Sequence, residues 1–272
     1  MWRATRSGDP AVFDLLGSIH VRTATAAPFQ AHIDAAVDRA DMLVLEADVD
    51  LTLLESLGLV AWHGLSWKPL SLRLDPPTYR ALRTKLERLG QPPSGLDLFQ
   101  PWLAAELIST WERQTAGYDG KMGIDAVVRK RAEARGLPVR FLETADDQLA
   151  LFSSLDEAIQ IEMLEQAITS TTAVAQTDRL VAAYDRGELS SLEDSVRQTA
   201  EEYPRFTRAL LDERNLGFAE GIDAMASEPG RILVVVGAAH FVGEQSVQAL
   251  LRARGFEVSR YSIQDAERLL GQ

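Results

Sequence analysis

Two of the four histidines in this 272-residue chain share one local setting, a short apolar run that ends in Gly-x-x-His. Ala11 to Leu16, interrupted by Asp14, leads into Gly17-Ser18-Ile19-His20, and Ile232 to Val236 leads into Gly237-Ala238-Ala239-His240. With 18 glycines and 4 histidines in the chain, about 0.26 such spacings arise by chance, so two on matching apolar runs point to a shared cause. Each run predicts a buried strand. The glycine permits a turn or a close approach to a ligand at the strand end, and the histidine three residues on can point into a cleft. Imidazole there suits metal ligation or proton transfer.

Carboxylates stand at two further predicted strand ends. Met42-Leu43-Val44-Leu45 ends at Glu46, with Asp48 and Asp50 following at period two, so the three share one side if the extended backbone continues. An acidic residue at the end of a buried strand is costly unless paired or metal-bound, which makes Glu46 the best third ligand. Asp48 and Asp50 are expected to cap the following helix. Glu143 ends a second such run, Val139-Arg140-Phe141-Leu142. Ligands of open α/β sheets bind outside the carboxyl ends of the strands, which would gather His20, Glu46, Glu143 and His240 at one crevice. Arg214 lies in the helix-patterned segment Ala209 to Asn215. An arginine there is ordinarily a surface ion pair, but as a fixed cation it would steady the oxyanion of a tetrahedral intermediate.

The elements that must position these groups alternate between strands and helices. Predicted strands are Val12 to Leu16, Met42 to Leu45, Val139 to Leu142, Ile232 to Val236 and Phe256 to Tyr261, the pattern of an α/β fold with a largely parallel sheet. Pro28 to Arg39 has helical spacing with Pro28 in the first turn, and His32 within it is read as structural. The chain is expected to be one domain over 1–272, with helical insertions at about 51–118 and 146–227 forming a cap. The first insertion is punctuated by Pro76-Pro77 and Gln91-Pro92-Pro93-Ser94-Gly95. It also holds Trp62-His63-Gly64-Leu65-Ser66-Trp67, a loop that would suit a lid, although core packing is expected of its tryptophans. The second insertion reads as a long amphipathic helix over Asp156 to Tyr184, then Leu192 to Glu202 and Pro204 to Met225.

Composition bounds the function. A hydrophobic content of 46% supports a real core, and a net charge of -12 would repel a polyanion, so nucleic acid is not an expected partner. From Phe141 to Asp178 the chain carries eight acidic residues and no Lys or Arg, read as a solvated helical surface. The absence of cysteine excludes disulfides, thiolate nucleophiles and Cys-ligated metal. No apolar run reaches the roughly 20 residues of a membrane span, and Met1-Trp2-Arg3-Ala4 begins no signal peptide. As written the chain is expected to be cytoplasmic; trimming of an export leader would make it periplasmic. It carries no Gly-x-Gly-x-x-Gly opening a βαβ unit, no Walker loop, no His-Glu-x-x-His and no Gly-x-Ser-x-Gly elbow. A metal or acid-base centre of two histidines and one or two glutamates remains.

These residues give the chain a resemblance to the TraB/GumN family, in the wider group of the Tiki metalloproteases, with relation to the erythromycin esterases and the haem-binding ChaN-like proteins. The match runs from about Trp2 to Val258. It includes Leu16-Gly17-Ser18-Ile19-His20-Val21, Val44-Leu45-Glu46, Pro101-Trp102, Gly123-Ile124-Asp125, Leu142-Glu143-Thr144 with Gln148, Glu213-Arg214-Asn215, and Val236-Gly237-Ala238-Ala239-His240 with Gly243. Ser18 stands where Thr is usual, and Ser246 where a second Gly often follows Gly243. The resemblance implies an α/β fold and a hydrolase site using His20, Glu46, Arg214 and His240, acting on a peptide or a small ester. It also implies a divalent ion, manganese or cobalt in the Tiki branch, held by His20, His240 and Glu46, with Glu143 orienting a histidine or shuttling a proton. Two alternatives stay open: a haem- or ligand-binding protein on the same scaffold, and a metal-free His/Glu hydrolase.

Overall fold

The computed structural model describes residues 1–26, 31–48, 51–202 and 204–261. Its strands are β1 (Trp2–Thr5), β2 (Ala11–Ser18), β3 (Arg22–Thr23), β4 (Met42–Ala47), β5 (Tyr118–Asp119), β6 (Val139–Glu143), β7 (Gly230–Gly237) and β8 (Glu257–Arg260). Six of them form one sheet in the order β6-β4-β7-β2-β1-β8. The members from β6 to β2 are parallel, and β1 and β8 add to one edge antiparallel. The sheet is therefore largely parallel, as the alternation of elements predicts. The chain divides into two compact units: Met1–Asp48 with Asp119–Thr144 and Leu180–Gln272, and Val49–Tyr118 with Ala145–Arg179.

The first unit holds the sheet and covers both of its faces. Along β4, Leu43 and Leu45 join a cluster with Leu16, Ile33, Ile124, Leu233 and Val235, while Val44 joins one on the other side with Phe13, Leu15, Phe218, Ile222 and Val234. Strands buried on both faces read as continuous apolar runs, which is why β2, β4 and β7 stand out in the sequence. The interruption at Asp14 is paired across the sheet: its carboxylate takes Arg3 from β1 and Arg231 from β7, each at 3.1 Å. The parallel register Gly17↔Val236 and Ser18↔Gly237 brings both Gly-x-x-His segments to the same end of adjacent strands. Parallel pairing also turns the ends of β4 and β6 the same way, and β7 lies between β2 and β4 although it comes last of the three. That strand-order break is where open sheets bind ligands.

The second unit is helical. Its core joins Leu70, Leu74, Leu82, Leu86, Ile108 and Leu164, drawn largely from the helices Pro76–Arg88, Pro101–Thr115 and Glu157–Thr169. Pro76-Pro77, read as punctuation, begins the helix that Asp75 caps by accepting from the Thr78 N–H.

Several predicted elements take a different form. The long helix over Asp156 to Tyr184 is two, Glu157–Thr169 and Ala173–Asp185, because the Ser170 hydroxyl accepts the Thr172 N–H and offers the backbone an alternative to the helix. The segment Pro204 to Met225 contains a π turn over Arg208–Asp212, after which helix Glu213–Ala224 begins. The helix after β4 is capped not by Asp48 but by Thr52, in a capping box with Glu55; Asp48 instead pairs with Arg129 at 2.8 Å. Asp50 and Pro28 lie outside the described residues, and His32 sits on helix Ala31–Arg39. Trp62 and Trp67, expected in the core, are exposed; buried Trp102, stacked on Phe152, fills an interior position instead.

Candidate active site

The carboxyl ends of β2, β4, β6 and β7 bring together His20, Glu46, Glu143 and His240, and helix Glu213–Ala224 adds Arg214. The point of convergence is Gly237. A Cβ on it would stand 3.2 Å from Oε1 of Glu46, 3.5 Å from Nε2 of His20 and 3.5 Å from Cδ2 of His240. Two imidazoles 220 positions apart thus have ring atoms within about 7 Å of each other, with the Glu46 carboxylate at the same point. Gly17 is needed for close approach too, since a Cβ there would meet Cα of Ala238 at 3.0 Å. Neither glycine has positive φ, so both motifs use the missing side chain for space and not for a left-handed turn.

The two histidines are not equivalent. His240 sits in a tight 3-10 turn over Ala238–Phe241 with only 4% of its side chain exposed, whereas His20 follows β2 in a bend and is 62% exposed. The protonation of His240 follows from its neighbours. Arg214 Nη1 lies 3.2 Å from its Nε2, and a guanidinium can only donate, so Nε2 carries the lone pair. Nδ1 then carries the proton and donates to Oδ1 of Asn215 at 2.6 Å. The Asn215 amide is fixed in turn by donating from Nδ2 to the carbonyl of Gln245 at 2.9 Å. Burial, assisted by Arg214, lowers the His240 pKa to about 4 and keeps the ring neutral near pH 7. His20 is shifted the opposite way: its Nδ1 stands 3.3 Å from Oδ2 of Asp125, and that hydrogen bond raises its pKa.

Arg214 is the hub of the charged groups. Its Nη2 reaches Oε2 of Glu46 at 2.6 Å and Oε1 of Glu143 at 2.5 Å, and its Nε reaches Oε2 of Glu143 at 3.1 Å. The fork on Glu143 is bidentate, a geometry lysine cannot copy. Nη1 also donates to the Leu210 carbonyl inside the π turn, and the guanidinium lies over the buried Phe218 ring at 5.1 Å. Such turns recur at functional positions of helices. Glu46 also accepts the backbone N–H of Gly237 through Oε1. Burial alone would raise its pKa, but His240, Arg214, His20 and that N–H outweigh burial and hold it below the usual carboxylate range.

Of the residues read from the sequence, His20, Glu46, Glu143, Arg214 and His240 are brought together, while Asp48 is turned to Arg129. Glu143 pairs with Arg214, and orientation of the histidines falls to Asn215 and Asp125, two residues that sequence reasoning left without a role. The sequence held a signal for both, since each is the last residue of a family motif, Glu213-Arg214-Asn215 and Gly123-Ile124-Asp125. Gly123 fixes the second: a Cβ there would lie 2.5 Å from the carbonyl oxygen of His20.

The family model of the TraB/PrgY/gumN family matches residues 1–260. The chain belongs to the TraB/PrgY/gumN family. Among its relatives, the uncharacterized protein YbaP of Escherichia coli is 26% identical over 244 residues, covering 88% of each chain. The YbaP of Shigella flexneri is 26% identical over 242 residues, covering 88% of this chain and 87% of its own. The metalloprotease TIKI1 of Danio rerio is 25% identical over 236 residues, 68% of this chain and 48% of the relative. No solved structure matches the chain.

For this TraB/PrgY/gumN chain the donor types suit a divalent ion: two imidazoles, each oriented through Nδ1 by a further polar group, and a carboxylate. The buried Oδ1 of Asp125 and Oγ of Ser18 have no hydrogen-bond partner among the described residues. The arrangement is not closed around an ion. No group of three or more His, Cys, Asp or Glu side chains among the described residues has metal-holding geometry, and Arg214 occupies both Nε2 of His240 and Oε2 of Glu46.

Proposed function

We propose that this centre hydrolyses a carbonyl compound, a peptide or a small ester. The observation that carries the reading is the convergence on Gly237 of an ionised carboxylate, a neutral imidazole whose Nε2 lone pair faces a fixed guanidinium, and a second imidazole of raised pKa. Titratable groups whose environments push their pKa values apart are the mark of an acid-base pair. In this assignment Glu46 takes the proton of the attacking water, with His240 as the neighbouring acceptor. His20, protonated with the help of Asp125, returns a proton to the leaving group. Arg214 stabilises the negative charge of the tetrahedral oxygen, and Glu143 fixes the plane of its fork. The distant likeness to a protein named as a metalloprotease supports a hydrolase and does not choose the substrate.

A divalent ion, manganese or cobalt by the family resemblance, would be held by His20, His240 and Glu46. Bound there, it would polarise the scissile carbonyl and lower the pKa of a water. A metal-free form of the same reaction is the second reading, favoured by the hold of Arg214 on Glu46 and His240. Elemental analysis of protein purified without chelator, combined with assays on fluorescent casein and p-nitrophenyl esters in manganese, cobalt or chelator, separates them. Hydrolysis lost to chelator and restored by either ion supports the metal form. Chelator-resistant hydrolysis supports the metal-free one, and hydrolysis in none of the conditions removes the functional proposal.

A further inference from the structure

We propose that the helical unit carries a docking face for a neutral lipid surface, built from Leu53, Leu54, Leu57, Trp62, Leu65 and Trp67. Eight of the ten large hydrophobic residues that stand exposed among the described residues fall between Leu53 and Leu98. Helix Leu53–Leu59 buries none of its residues. Leu53 is 76% exposed and Leu54 81%, and Leu57, one turn on from Leu53, points the same way. The helix runs on into the π turn Val60–Gly64, from which Trp62 stands 81% exposed, and Trp67 follows fully exposed. Leu98 joins the face, because Ser66 N–H donates to its carbonyl at 2.8 Å and Leu65 bridges Phe99. An exposed, contiguous apolar face of this kind marks an interaction site.

The face is held in shape from behind. Thr52 and Glu55 close a capping box at its start. His63 turns inward between the two tryptophans and bonds Ser153 at 3.0 Å through Nδ1 and Asp146 at 2.9 Å through Nε2. Its carbonyl accepts the Trp102 indole N–H, and Gly64 lies against Leu103 with no room for a side chain. The apolar residues are therefore displayed by a bonded scaffold.

Charge decides what the face fits. In a chain of net charge -12, residues 51–72 up to Leu72 carry Glu55 and Lys68, with Arg73 just beyond. Glu55 is bonded to Thr52, Asp97 at the margin to Ser71, and Arg73 to Glu157, so the border charges are already satisfied within the unit. A protein interface ordinarily surrounds its apolar centre with a charged and polar rim, which is thin here. The acidity of the whole chain disfavours anionic lipid. Two indoles with no hydrogen-bond partner among the described residues, flanked by leucines and one lysine able to reach a headgroup phosphate, match the interfacial zone of a zwitterionic bilayer. No helix of the described residues is long and apolar enough to cross a membrane, so contact would be at the surface.

Flotation of the full chain with phosphatidylcholine vesicles tests this, compared with vesicles containing phosphatidylglycerol. The expected result is co-flotation with the neutral vesicles, weaker binding as anionic lipid is added, and at least a tenfold lower partition coefficient for Trp62→Ser with Trp67→Ser. Leu53→Ser with Leu57→Ser should weaken binding as well, and because all four side chains are exposed, circular dichroism and melting should be unchanged in both variants. Failure of the native chain to float at millimolar lipid, or equal binding by the variants, overturns the proposal. Self-association of the native chain that the variants lose, without lipid binding, overturns it in favour of contact between copies. None of these readouts uses hydrolysis, so they stand apart from the proposed reaction.

Discussion

Arg214 places one guanidinium nitrogen 2.6 Å from a carboxylate oxygen of Glu46, a residue 168 positions earlier in the chain. The same nitrogen lies 2.5 Å from Glu143, so one cation holds together the ends of β4 and β6. Both carboxylates are mostly buried, and removing their shared partner leaves two negative charges facing each other out of water.

Arg214→Gln should therefore lower unfolding free energy by about 3 kcal/mol, read by urea denaturation. Arg214→Lys keeps the charge and should cost less stability, yet it replaces a planar fork by a point charge and should impair turnover. Wild-type turnover in Arg214→Lys would remove the fork from the mechanism.

Buried His240 gives a pH dependence whose sign is fixed. Its pKa is about 4 in the folded chain against 6.5 for the free side chain, so between these values the unfolded chain binds more protons. Stability should fall as pH drops from about 6.5 to 4, by up to roughly 3 kcal/mol from this group. His20 works in the opposite sense, because its raised pKa contributes stability below 6.5 that is lost as pH rises through the folded value. Urea unfolding of the native chain and His240→Asn in chelator isolates the first effect: the variant should show the shallower slope over this window. Parallel slopes would mean that His240 is not held neutral by burial.

If an ion binds only the folded chain, manganese or cobalt at about 100 times its dissociation constant should add roughly 2.7 kcal/mol of stability. His20→Ala or His240→Ala should abolish the gain while leaving the fold intact. An equal shift in the native chain and both variants would place the ion on the acidic surface instead.

Strand ends were legible in the sequence because a parallel strand buried on both faces leaves an uninterrupted apolar run, and a polar residue at its end is conspicuous. β4, β7 and, apart from its paired Asp14, β2 are of this kind, while β6 is a half-buried edge strand with Arg140 exposed; each of the four delivers its expected residue, His20, Glu46, Glu143 or His240, to one end of the sheet. β1 was missed because four alternating residues, Trp2 to Thr5, give too short a pattern. Asn215 and Asp125 act on the histidines across 25 and 105 positions, a relation set by packing and invisible to local spacing. The exposed tryptophans misled for a related reason: large aromatics read as core, and nothing local says that Trp102 has taken an interior place.

Glu46 as the base of a hydrolytic centre stands or falls on kcat/KM of Glu46→Gln. The substitution keeps size and hydrogen-bonding capacity, including acceptance from Gly237 N–H, and removes only the negative charge. Acid-base groups contribute roughly 10²- to 10⁴-fold, so kcat/KM on the ester or peptide substrate found should fall at least about a hundredfold, with a folded protein by circular dichroism. Hydrolysis near the wild-type rate in that folded variant would rule out Glu46 as the base and make it a structural partner of Arg214.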